Sequence, residues 1–144
     1  MIDTPLVRCA LQIATQAHRG QMDKGGKPYL NHVLAVAQQM TTEETTVAAL
    51  LHDVVEDTPW TLADLAHEGI PPQVLEALAL LTHQKEMPYL KYVQALAANP
   101  IARAVKRADL RHNSDLNRLP QVTERDLARV EKYRQALALL DECL

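Results

Sequence analysis

The stretch Ala48-Ala49-Leu50-Leu51-His52-Asp53-Val54-Val55-Glu56-Asp57 sets an apolar run directly against one imidazole and three carboxylates. Thr42 is placed to cap a helix that runs through Val47, Leu50, Leu51 and Val54. On such a helix His52 and Asp53 project about 100° apart, near enough for both to face one ion. Glu56 and Asp57 follow them by four residues each, which adds a second carboxylate layer if the helix persists. Acids packed this closely repel one another and resist desolvation, and a divalent cation would relieve both penalties. A solvated helix end is the alternative, and the apolar run before it argues instead for partial burial.

Working outward, helix punctuation recurs along the chain. Thr4-Pro5 opens a first helix through Leu6, Ala10, Ile13 and Ala17. Gly20, Gly25 and Gly26 mark a loop, and Pro28 starts a second helix near Tyr29 with Val33, Val36, Ala37 and Met40 on its apolar stripe. Thr61 and Asp64 form a capping box for a short helix that Gly69 closes. Pro71-Pro72, Pro88, Asn99-Pro100 and Thr123 with Asp126 open four more. The expectation is an all-α fold of about eight short helices in a single domain, residues 1–144, with no convincing strand. Composition agrees: aromatics are only 3% with no Phe, while Leu and Ala supply about 42 residues, so the core is aliphatic.

Fifteen Lys plus Arg against eighteen Asp plus Glu give a formal charge of −3, and no basic run stands out. That balance excludes a protein whose affinity comes from neutralising a nucleic-acid backbone, but not one that takes a single anionic small molecule. No segment has the length of a membrane span, and residues Met1 to Arg8 carry Asp3 and no signal-peptide pattern. The expected setting is soluble and cytoplasmic, with no membrane and no nucleic acid as partner. Cys9 and Cys143 lack CxxC spacing and are expected to be reduced and structural.

Two further segments concentrate acid–base and metal-binding residues, His18 to His32 and Lys106 to Asn113. Asp109, His112 and Asn113 share one helix face, as a metal ligand with neighbours or as a surface pair. His32 alone fits an ordinary hydrogen-bonded histidine equally well. Together the segments supply imidazoles and carboxylates, a set suited to Mn, Fe, Co, Ni or Zn rather than to Ca or Mg. His67 and His83 belong to no motif. Arg111, Arg118 and Lys132 fit phosphate collection or solvated helix faces equally well.

Four ordered motifs carry a resemblance: Ala17-His18-Arg19-Gly20-Gln21, Gly26-Lys27-Pro28-Tyr29-Leu30-Asn31-His32, His52-Asp53-Val54-Val55-Glu56-Asp57-Thr58, and Lys106-Arg107-Ala108-Asp109 with His112-Asn113. Over residues 17 to 113 they are similar to the HD superfamily of metal-dependent phosphohydrolases, and within it to the alarmone hydrolases of the RelA/SpoT type. The resemblance implies an all-helical fold with Mn²⁺, or another divalent transition metal, held by His32, His52, Asp53 and Asp109. It implies removal of the 3′-pyrophosphate from a guanosine tetra- or pentaphosphate, with Glu56 and Asp57 in catalysis. Lys24 and Asn113 then line the nucleotide site, His18 opens the segment that shapes it, and Gly20, Gly25 and Gly26 let backbone approach the ligand. The implied partner is a small-molecule nucleotide, and a single hydrolase domain would only degrade the signal.

The chain departs from the family at Gln21-Met22-Asp23-Lys24, where Asp23 stands at the position of an arginine that packs on the base. A carboxylate cannot stack as guanidinium does, although it can accept hydrogen bonds from a guanine edge. An adenosine counterpart is therefore an expected substrate beside the guanosine form. Ser114-Asp115-Leu116 after Asn113 is a second departure. Tyr29 and Trp60 are the stacking platforms nearest the motifs in sequence. The alternatives are an HD phosphatase acting on a nucleoside monophosphate or other phosphoester, and a nucleotide-binding sensor that has lost turnover.

Overall fold

Local capping sets the helix boundaries. The Thr4 hydroxyl accepts a hydrogen bond from the Val7 N–H at 3.2 Å, and Pro5 begins α1, Pro5–Ala17. Thr42 caps α3, Glu43–Leu51, and the reciprocal Thr61–Asp64 box opens α5, Leu62–His67, with α2, Tyr29–Gln38, and α4, Val54–Asp57, as the remaining early helices. Then come α6, Pro72–Leu81, α7, Tyr89–Ala97, α8, Pro100–Asn113, a single 3₁₀ turn at Leu116–Arg118, and α9, Glu124–Glu142. These assignments come from a computed structural model that describes residues 1–142, so Cys143 lies outside the described residues. Cys9 is a free, partly buried thiol. Among the described residues the sole strand-like pairing is an isolated bridge between Met22 and Pro28, and no helix is long and apolar enough to cross a membrane.

The core is aliphatic, as composition predicts, and Tyr92 is its one buried aromatic among the described residues. The centre is α3, whose residues Thr46 to Leu51 are all buried between α1, α2, α6 and α8. The second hub is α8, packed on α2, α3, α6, α7 and α9. Burying Leu50, Leu51 and Leu110 contributes roughly 1.5–3 kcal/mol each. That packing fixes the end of α3 beside the middle of α8, with α2 against both.

One element differs from expectation. The helix predicted to continue through Val54 stops at Leu51, and α4 resumes after Asp53, whose φ of −106° and ψ of −1° lie at the edge of the right-handed helical region. The cause is local: His52 Nδ1 donates to the Ala49 carbonyl at 2.5 Å, taking the acceptor that the Asp53 N–H would use. The four-residue relation survives the break, because the Asp57 N–H donates to the Asp53 carbonyl at 2.9 Å.

Candidate active site

His32 from α2, His52 and Asp53 from the end of α3, and Asp109 from α8 meet in one cluster, each offering a ligand atom within 4.8 Å of the others. His32, His52 and Asp109 are buried and Asp53 is partly so. His32 Nε2 lies 2.9 Å from Asp109 Oδ1. His52 Nε2 lies 3.0 Å from Asp53 Oδ2 and 3.5 Å from Asp109 Oδ1, yet is aligned for a hydrogen bond with neither. With Nδ1 held against the Ala49 carbonyl, Nε2 is aimed at the oxygens around it, and a cation shared among them would take the place of the proton that Asp53 and Asp109 otherwise favour on His52. His32 is oriented in the same way, since its Nδ1 lies 2.7 Å from Nδ1 of His112. Burial, then the charges of Arg118 and His32, push His112 down to about 4, so it stays neutral and can accept the His32 Nδ1–H. Two imidazoles and two carboxylates converging on one point fit a divalent metal site.

The electrostatics agree. Burial is the largest single influence and would raise Asp109, but Lys106, with Nζ 3.1 Å from Oδ2, together with His32 and His52 overcomes it and holds this carboxyl well below the usual range. Burial would likewise lower Lys106, and the Asp109 charge keeps it protonated. Burial opposes ionisation of Asp53, and His52 beside it reverses the balance and lowers its carboxyl. The Tyr29 hydroxyl donates to Asp53 Oδ2. Asp53, Glu56 and Asp57 form a second acidic group at the mouth. Glu56 Oε1 accepts the His83 N–H at 2.6 Å, whereas desolvation and the charges of Asp53 and Glu56 push Asp57 up to about 6.

Two chambers open here. An acidic one of about 210 Å³ is lined by His52, Asp53, Glu56, Asp57, Lys106 and Asp109. A second, of about 290 Å³, is lined by Asp23, Lys24, Arg118 and Arg129, and Tyr29, Asn113 and Tyr133 belong to both walls. Asn113 Nδ2 donates to Asp109 Oδ1 at 3.0 Å. His18 stands behind this wall, with Nδ1 2.7 Å from Gln21 Oε1 and its ring 5.1 Å from that of Tyr29. A larger cavity of about 450 Å³, between α2, the start of α3 and α8, meets the site only through His112 and Asp115.

Several participants escape the sequence. Lys106 and Tyr29 lie within the quoted motifs, but their bonds to Asp109 and Asp53 are not read from them, and the His83 backbone belongs to no motif. A usable clue was the tyrosines: all four line the acidic chamber in a chain otherwise poor in aromatics. Trp60 lies elsewhere, beside Pro59, Asp64 and His67. Gly25 serves loop packing, since a Cβ there would fall 2.4 Å from the Arg118 carbonyl oxygen.

An all-helical domain that presents a buried His/Asp divalent-metal site defines a class, and the HD domain model matches residues 10–141. The chain belongs to the HD domain family. It is 39% identical over 124 residues to the human guanosine-3′,5′-bis(diphosphate) 3′-pyrophosphohydrolase MESH1, covering 76% of this chain and 68% of that protein. It is 35% identical over 117 residues to a Haemophilus influenzae protein of the same enzymatic name, covering 70% of this chain but only 17% of the relative. It spans just 14% of a Streptomyces coelicolor GTP pyrophosphokinase, which it matches at 35% identity over 72% of its own length. The solved structure of a metazoan SpoT ortholog, described as hydrolysing ppGpp, superposes with a TM-score of 0.80 at 26% identity, covering 97% of this chain and 87% of that one.

Proposed function

We propose that residues 1–144 form a single cytoplasmic Mn²⁺-dependent hydrolase domain that removes the 3′-pyrophosphate from a hyperphosphorylated purine nucleotide, guanosine 3′,5′-bis(diphosphate) or its adenosine counterpart. One observation carries this: the buried His32, His52, Asp53, Asp109 cluster has Glu56 and Asp57 at its mouth and shares a wall with a chamber that carries Lys24. Relatives named for this reaction, including one of comparable length, support it.

His32, His52, Asp53 and Asp109 would hold a divalent cation, which would supply Lewis acidity toward water and a phosphoryl oxygen. The chain supplies the rest. Water attacks the phosphorus attached to the ribose 3′ oxygen; an O–P bond forms, the P–O3′ bond breaks, and pyrophosphate leaves while O3′ gains a proton. Asp57, whose carboxyl is pushed up to about 6, takes the water proton, and Glu56, fixed by the His83 N–H, orients that water. Lys106 keeps Asp109 ionised and immobile. Lys24 offsets phosphate charge, and Asn113, tied to Asp109, sets the boundary between the chambers.

The test is product analysis with purified protein and Mn²⁺. Guanosine 3′,5′-bis(diphosphate) is expected to give pyrophosphate and GDP, and His52→Ala to give neither. Orthophosphate as the released product, or no turnover of either the guanosine or the adenosine form, would overturn the assignment.

A further inference from the structure

Asp23 and Arg118 are 95 positions apart and form one unit. Arg118 Nη2 donates to Asp23 Oδ2 at 3.2 Å, while Nη1 donates to the His112 carbonyl at 2.8 Å and reaches Asn113 Oδ1 at 3.4 Å. Asp23 Oδ1 accepts the Gly25 and Lys27 N–H groups, each at 2.9 Å. The backbones touch as well, since no side chain fits between Gly25 and the Arg118 carbonyl. The Arg118 side chain remains 24% exposed in the wall of the 290 Å³ chamber.

This bonding decides what the pair can recognise. Both Nη1 hydrogens and one Nη2 hydrogen are engaged and the charge is offset by Asp23, which blocks a bidentate grip on phosphate through the Nη1–Nη2 end. Its flat face is unaffected by these in-plane bonds, and such a face packs on aromatic rings. Asp23 has about four acceptor positions, three of them filled by Gly25, Lys27 and Arg118. The acceptor position left on Oδ2 can take one N–H, so the paired N–H donors of a guanine edge could both bond Asp23 only by displacing partners that hold the loop together.

We propose that Arg118 is the base-recognition residue of the substrate chamber: its guanidinium plane, locked in place by Asp23, packs against the purine ring, so the protein selects purines by their face and discriminates little between guanine and adenine. Asp23 is a positioning residue in this scheme. The inference rests on the nucleotide-hydrolase reading above and adds to it the means of base selection.

Calorimetric binding of GDP, ADP and UDP tests it, beside turnover of the guanosine and adenosine 3′-pyrophosphate forms. Wild-type protein is expected to bind GDP and ADP within about fivefold of each other and UDP about tenfold more weakly. Arg118→Lys keeps the charge without the plane and is expected to weaken both purines about tenfold, raising KM far more than it lowers kcat. Asp23→Asn, which retains the loop contacts, is expected to give a smaller loss of the same kind. Purine binding by Arg118→Lys equal to wild type, or a guanine preference above about thirtyfold, would overturn the inference while leaving hydrolysis in place. Should wild-type protein neither bind a nucleoside diphosphate nor turn over either form, the hydrolase reading itself fails.

Discussion

The acidic and basic chambers share Tyr29, Asn113 and Tyr133 but rest on different foundations. The four-residue His/Asp cluster of the acidic one comes from α2, α8 and the end of α3, helices whose other faces form the core, with α4, α7 and α9 completing the walls. The basic one takes Asp23, Lys24 and Gly25 from a loop and Arg118 from a 3₁₀ turn, with α9 behind. Ligand geometry is thus set by close-packed helices, whereas recognition sits on segments that can change without disturbing the core.

The sharpest way to break the comparison is His52→Ala, expected to lower kcat/KM by more than about a thousandfold. It should also abolish the roughly 2.7 kcal/mol of stabilisation that Mn²⁺ at 100 times its Kd confers on wild-type protein, read by thermal melting. Asp57→Asn is expected to cost about a hundred- to a thousandfold in kcat while leaving that metal-induced shift intact, which separates proton transfer from metal binding. Lys106→Met leaves Asp109 buried without its ammonium and should cost about 3 kcal/mol in urea unfolding without metal, with added Mn²⁺ restoring part of the loss. Tyr29→Phe removes the donor to Asp53 and should weaken Mn²⁺ about tenfold in a titration, the size expected for an outer hydrogen bond to a ligand. Gly25→Ala is the mildest: forcing the loop from the Arg118 carbonyl should cost about 1 kcal/mol and raise KM a few-fold, with metal binding unmoved.

Legibility follows the same division. The caps at Thr4, Thr61 and Asn99 were readable because capping depends on residues three apart in sequence. His52 and Asp53 were readable because they are adjacent, and the resemblance supplied His32 and Asp109, whose place beside them depends on how α2, α3 and α8 pack. The break after Leu51 was not readable, because it turns on a side chain outcompeting a backbone donor. Nor was the part played by Arg118, which needs a loop almost a hundred residues away to take on meaning. The ammonium of Lys106 could have been suspected from its three-residue spacing to Asp109, but its burial beneath Tyr89 and Tyr92 could not.

The placement of every tyrosine around the acidic chamber has a spectroscopic consequence. With no Phe in the sequence and Trp60 in a separate pocket, near-ultraviolet circular dichroism from the tyrosines reports on the site rather than on the helical scaffold. Far-ultraviolet signal and tyrosine signal therefore monitor different parts of the molecule without any label. A ligand that orders the chamber alters the second while sparing the first, so the protein carries its own optical probe of occupancy.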